Sequence, residues 1–127
     1  MYPVSIKGVL LSSQGEVVLL LNECEEWELP GGRIELGESS PATLARWMRE
    51  QLRLEVRVGA PIDTYLFEVL PGRRAFIATY RCRLIGSFEP VLADARTRLA
   101  VFPPSALPGN LPRGYRRSIE AVTAELA

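Results

Sequence analysis

Residues 27–56, W-E-L-P-G-G-R-I-E-L-G-E-S-S-P-A-T-L-A-R-W-M-R-E-Q-L-R-L-E-V, change periodicity halfway along, and that change decides the fold. Trp27 to Leu29 can form a short extended piece before Pro30-Gly31-Gly32, and Ile34 to Ser39 is a loop by composition. Ser40-Pro41 then opens a helix, since serine can cap free N–H groups and proline tolerates the first helical position. Leu44, Met48 and Leu52 follow at four-residue steps and give one apolar stripe from Ala42 to about Leu52. Positions 47, 50 and 51 share a different face of the same helix. A glycine pair, whose backbone can approach a ligand closely, is thus followed by Glu35 and Glu38 on a loop and Glu50 on a helix.

Working outward, Val4 to Leu11 is a strand, Ser12-Ser13-Gln14-Gly15 a turn, and Glu16 to Asn22 a buried-type apolar strand expected to form a hairpin with the first. Leu54 to Leu70 alternates as one long or broken strand, Pro71-Gly72-Arg73-Arg74 turns, and Ala75 to Ile85 returns as its partner. Tyr65, Phe67 and Tyr80 alternate on these strands as core or interface residues. Leu99 to Phe102 is a short strand, Pro103 to Pro112 a proline-rich loop, and Arg113 to Leu126 a terminal helix with Tyr115, Ile119 and Val122 on one side. No repeat or linker interrupts the 127 residues, so one domain over 1–127 is expected. The mixed order has too few helices for a doubly wound sheet; an α/β (α+β) arrangement with a helix on each face of a sheet is the natural packing.

Composition narrows the function. Fifteen basic residues balance fifteen acidic ones, so charge gives no argument for a nucleic acid polymer or a membrane as partner. Nine of the acids lie from Glu16 to Glu55 and nine of the basic residues from Arg73 onward, which permits a cation-holding half facing a phosphate-holding half. Cys24 and Cys82 are the only cysteines and there is no histidine, which excludes a Cys/His zinc site and argues against a disulfide scaffold. The N-terminus has no basic region ahead of its apolar run and reads as a strand, not a signal peptide; no apolar run reaches membrane-spanning length. A cytoplasmic protein with reduced thiols is the expectation.

The 23 residues from Gly32 to Leu54 resemble a Nudix box: a glycine, five residues, a glutamate, seven residues, then Arg-Glu-apolar-any-Glu-Glu-any-Gly-apolar. Gly32, Glu38, Arg46, Met48, Glu50 and Leu54 fall on that pattern without a gap. The flanking WELPGGRIELGES and the order of strands are similar to the family, and so, more weakly, is the terminal LPRGYRRSIEAV. The resemblance implies an α/β/α sandwich with a mixed sheet between helices. It also implies hydrolysis of the pyrophosphate linkage of nucleoside diphosphate derivatives with Mg²⁺ or Mn²⁺, and frequent homodimers.

Three positions depart from the pattern: Trp47 replaces the first helical glutamate, Gln51 the last, and Arg53 the closing glycine. In the family those carboxylates bind the metals and help activate water. Only Glu50 remains on the helix, as metal ligand or base. Gln51 offers a neutral oxygen that can ligate weakly. Mg²⁺ can manage with one or two carboxylates plus waters and substrate phosphates, so Glu50, the Gly31 carbonyl and a bound pyrophosphate can still hold one ion. A cluster of several metals is not expected. Glu38 or Glu35 would assist the metal or water, and Arg33 would reach a phosphate. Gly32 and the Glu38–Arg46 pair have structural readings, the pair tying loop to helix. Glu89 and Asp94 lie near the place where many members carry a further acid, but neither aligns. Trp47 is a packing aromatic, a platform for a base, or a plug in a vacated metal site. Arg53 stands where a helix would end left-handed, at a cost of about 1 kcal/mol or more for a non-glycine residue, so a reshaped helix end is expected.

Two functions follow: a metal-dependent hydrolase of reduced or altered activity, or a non-catalytic module that binds a nucleotide-like ligand or a partner protein in the same cleft. The loop half of the box favours the first. Selectivity is expected in Val69 to Arg74 and Phe88 to Arg98.

Overall fold

The computed structural model describes residues 2–126. Its elements run β1 (Val4–Leu10), β2 (Val17–Leu21), β3 (Trp27–Glu28), β4 (Gly31–Arg33), α1 (Ser40–Leu52), β5 (Glu55–Leu70), β6 (Arg73–Ile85), β7 (Arg98–Phe102), a single 3-10 turn (Pro104–Ala106) and α2 (Arg113–Leu126). A four-stranded sheet has the order β4-β1-β6-β5, with β1 and β6 parallel and the other pairs antiparallel. The helices cover its two faces, giving the α/β/α sandwich. A second, antiparallel sheet, β3-β2-β7, was not anticipated.

Two cores hold the layers. Leu44, Met48 and Leu52, the stripe of α1, are buried with Ile6, Leu10, Leu54, Val56 and Ala78. Burying each of those three side chains contributes roughly 1.5–3 kcal/mol. On the opposite face Tyr115, Ile119 and Val122 of α2 are buried with Val9, Ala75 and Ile77. Tyr65 and Phe67 pack on that second core and Tyr80 on the first, as strand alternation requires.

The hairpin expected from the first two strands is not a ladder. They belong to different sheets and meet only at the bridge between Leu11 and Val17. The reason lies in β2, which is apolar on both sides: Val18 and Leu20 enter the α1 core, while Val17 and Leu19 enter the α2 core. A strand inserted between two cores pairs where both of its faces are covered.

Two details of the box differ from expectation, the helix cap and the helix end. The helix cap is Ser39, not Ser40: its hydroxyl accepts from the Ala42 N–H at 3.2 Å. Gly31 and Gly32 form an edge strand on β1, with Ile6 opposite Gly32 and Ser5 opposite Arg33. At Gly31 φ is 136°, and a Cβ there would run into the Ile6 carbonyl, so glycine is required. The helix end is not reshaped. Arg53 itself adopts the left-handed conformation (φ 53°, ψ 37°), its N–H bonding the Arg49 carbonyl at 2.9 Å. No helix among the described residues is long and apolar enough to cross a membrane.

Candidate active site

The box loop is fixed by Glu38 and Arg46. Arg46 Nε and Nη2 donate to the two Glu38 oxygens at 2.7 and 3.0 Å, a bidentate pair. Glu38 Oε1 also accepts from the Thr43 hydroxyl and the Glu35 N–H, both at 3.0 Å. Hydrogen bonds from Arg46, above all, hold the Glu38 carboxyl down at about 2. A carboxylate with this many donors is a poor proton acceptor. The bidentate pair also ties loop to helix, the structural reading of Glu38 and Arg46. Glu35 is mostly exposed, with its carboxylate 3.8 Å from Arg46.

The helix face of 47, 50 and 51 divides its work. In the β1–β4 ladder Gly32 faces β1, so Gly31 and Arg33 turn their polar groups outward, toward α1. Gln51 Oε1 accepts from the Gly31 N–H at 3.1 Å, and Trp47 Nε1 donates to the Arg33 carbonyl at 2.9 Å. Arg46 Nη2 reaches the same carbonyl at 3.3 Å, and its guanidinium lies 5.1 Å from the Trp47 ring centroid. A Cβ on Gly32 would fall inside the indole, so this glycine is required by Trp47. Two departures from the box thus satisfy an edge strand. Glu50 remains more than half exposed and pairs with Arg46 at 3.3 Å, an exposed i,i+4 contact of small worth.

Beside this face lies a cleft of about 310 Å³ lined by Trp47, Glu50, Gln51, Leu92, Asp94 and Thr97, among others. The far wall is brought in by two backbone bonds to the end of α1, Val91 N–H to the Leu52 carbonyl at 2.9 Å and Ala93 N–H to the Gln51 carbonyl at 3.0 Å. Asp94 is held by Arg96, whose side chain and backbone N–H bond its carboxylate at 2.9–3.3 Å and keep its pKa low. Sequence reading noted Asp94 without aligning it. Its signal was the Asp-Ala-Arg turn, in which a carboxylate caps the backbone two residues on. Glu89 does not line this cleft. Nor does Arg33, whose side chain borders a separate groove of about 760 Å³ with Tyr2, Arg73 and Arg74. The segments 69–74 and 88–98 therefore border different cavities.

Among the described residues no three His, Cys, Asp or Glu side chains converge as a metal cage. The donor set does not fit a cluster of several metals.

The fold has solved counterparts. A MutT protein from Methanosarcina mazei Go1 aligns with a TM-score of 0.82 at 20% identity, over 98% of this chain and 95% of that one. A MutT NUDIX hydrolase from Burkholderia pseudomallei gives 0.81 at 20% identity, over 96% and 98%. An ADP-ribose pyrophosphatase from Streptococcus suis gives 0.71 at 17% identity, over 100% and 94%. In sequence, a Mycobacterium tuberculosis protein named as an 8-oxo-dGTP diphosphatase is 39% identical over 70 residues, 55% of this chain and 49% of its own length. The chain thus spans about half the length of the curated relative it matches. The family model for the NUDIX domain matches residues 1–122, and this chain belongs to the Nudix family.

Proposed function

We propose that the protein hydrolyses the pyrophosphate linkage of a nucleoside diphosphate derivative, slowly, with one divalent cation, Mg²⁺ or Mn²⁺. The observation that carries this reading is that Glu50 and Asp94 line one cleft in a Nudix domain. Nudix hydrolases generally use divalent metals. Here Glu50, the Gly31 carbonyl and the second lone pair of Gln51 Oε1 would hold a single ion together with substrate phosphates. When bound, the ion neutralises charge on the phosphates and favours deprotonation of water.

The protein's own groups do the rest. Glu50, whose contact with Arg46 is weak, would be free to ligate the cation. Asp94, kept ionised by Arg96, would accept a hydrogen bond from the attacking water and orient it; the water oxygen bonds to phosphorus, its proton passes to solvent, and the P–O bond to the leaving phosphate breaks. The Trp47 edge and Leu92 exclude bulk water from one side. Two helix carboxylates fewer than the box pattern mean less charge stabilisation, hence slow turnover. The names of the relatives suggest 8-oxo-dGTP and ADP-ribose as first substrates.

A second reading, a non-catalytic module binding a nucleotide-like ligand or a protein, is favoured by the indole standing over Gly32 where the box pattern has a carboxylate. The test is a screen of nucleoside di- and triphosphates and ADP-ribose with Mg²⁺ and with Mn²⁺, comparing wild type, Glu50→Gln and Asp94→Asn. Metal-dependent turnover lost in Glu50→Gln supports the enzyme. Equal, negligible turnover in all three, with retained nucleotide binding, supports the module.

A further inference from the structure

The sheet face that carries α2 holds a second cluster of charge. β5 and β6 set Arg57 directly opposite Arg83, and Arg81 lies two residues along on the same face. Opposed Cβ atoms stand about 5 Å apart, and like charges in that position destabilise a strand pair. Residues i and i+2 of a strand are about 7 Å apart. Of the three guanidinium groups, Arg81 has a carboxylate partner, Glu125 of α2. Among the described residues no acid comes within ion-pair distance of Arg57 or Arg83, and the neighbouring Glu55 is paired with Arg49 at 3.7 Å. Among the described residues, three cations with one anion leave a local charge of about +2.

These arginines border a groove of about 700 Å³ together with Ser12, Ser13 and Gly59. Ser12 Oγ accepts from the N–H groups of Gln14 and Glu16, each at 3.3 Å, which leaves its own proton to donate. Gly59 lacks the side chain that would cover the Arg81 stem; a Cβ there would sit 3.6 Å from Arg81 Cβ. The groove lies at the opposite end of β1 from the box and on the opposite face of the sheet from α1.

We propose that the groove formed by Arg57, Arg81 and Arg83 is an anion site that binds a doubly charged phosphate group, separate from the α1 cleft. Planar guanidinium forks match phosphate oxygens in pairs, and a dianion offsets the charge that the opposed arginines leave uncompensated. The phosphate has two possible sources, free pyrophosphate or the phosphate of a nucleotide. The inference holds whether or not the α1 cleft turns over substrate.

The test is titration of ¹⁵N-labelled protein, in metal-free buffer, with inorganic pyrophosphate and separately with AMP. Saturable shifts are expected at the amides of Ser12, Gly59 and Gly86, which line the groove. Binding is expected to weaken at least about tenfold in Arg57→Gln/Arg83→Gln, the loss of charged hydrogen bonds, and to be unchanged in Glu50→Gln. Response to pyrophosphate alone assigns the site to the free anion; response to AMP as well assigns it to phosphate esters. Without anion, Arg83→Gln is expected to melt at or above the wild-type temperature, since it removes a repulsion. The proposal is overturned if neither probe shifts these amides, or if the double variant, folded by its spectrum, titrates like wild type.

Discussion

Trp47 donates its indole N–H to the Arg33 carbonyl at 2.9 Å, and one turn later Gln51 accepts from the Gly31 N–H at 3.1 Å. A donor and an acceptor at i and i+4 of α1 thus match an acceptor and a donor on the outward edge of β4. Unpaired edge groups are costly when shielded from water, and here a helix face does what a further strand would do. The two substitutions in the box act as a pair, which neither would do alone.

The close fit of Trp47 over Gly32 gives a coupling that can be measured. Gly32→Ala is expected to cost about 1–3 kcal/mol, because its methyl group must displace the indole. In a Trp47→Ala background the three nearest contacts of that methyl group are gone, and the same change costs clearly less. Urea unfolding of the four proteins reads the coupling. Additive effects would mean that the indole does not rest on this glycine.

The Glu38–Arg46 tie predicts a pH dependence. Glu38 titrates at about 2 in the folded state against an ordinary 4.5, chiefly because Arg46 hydrogen-bonds the charged form. A depressed carboxylate stabilises the fold fully above its unfolded pKa and loses that contribution as pH falls through the folded value. Wild type is therefore expected to exceed Glu38→Gln in unfolding free energy above about pH 4.5, with the gap closing toward pH 2. A gap that stays constant from pH 5 to about 2 would refute the tie.

Much of this was legible in residue order. Leu44, Met48 and Leu52 are helical in period, and the resemblance of Gly32, Glu38, Arg46 and Glu50 to the Nudix box implied that the loop is tied to the helix. The wall that carries Asp94 was not legible. It reaches α1 through backbone bonds between segments far apart in sequence, which leave no local pattern. Nor was the opposition of Arg57 and Arg83: β5 and β6 shift register near Pro61, which lacks an N–H, so pairing cannot be counted back from the turn. The unbroken apolar run of β2 did announce burial on both faces, but not the second sheet in which it pairs.

Arg53 offers a stabilising change. Its left-handed backbone closes α1 with Leu54 N–H reaching the Met48 carbonyl at 3.3 Å, a geometry in which a side chain is strained. Arg53→Gly is expected to raise stability by about 1 kcal/mol, seen as a higher midpoint in urea, with Arg53→Asn in between. Arg53 is exposed, so little packing is lost. A fall in midpoint on glycine substitution would show that the arginine side chain contributes more than the strain removes.

Restoring the two acids separates the docking role of this helix face from its capacity for metal. In Trp47→Glu/Gln51→Glu, the new carboxylate at 51 can still accept from the Gly31 N–H, whereas Glu at 47 cannot donate to the Arg33 carbonyl. The variant is expected to lose about 1–3 kcal/mol of stability, since that carbonyl keeps only the longer bond from Arg46 and the indole contact is gone. In return, three carboxylates on one helix face should bind Mn²⁺ at least about tenfold more tightly than Glu50 alone, read by calorimetric titration without nucleotide. Gln51→Glu by itself, which keeps the indole, should show part of the gain with little loss of stability. Unchanged metal affinity in both variants would mean that the missing charges are not what limits cation binding at this face, and the assignment of Glu50 as a ligand would fall with it.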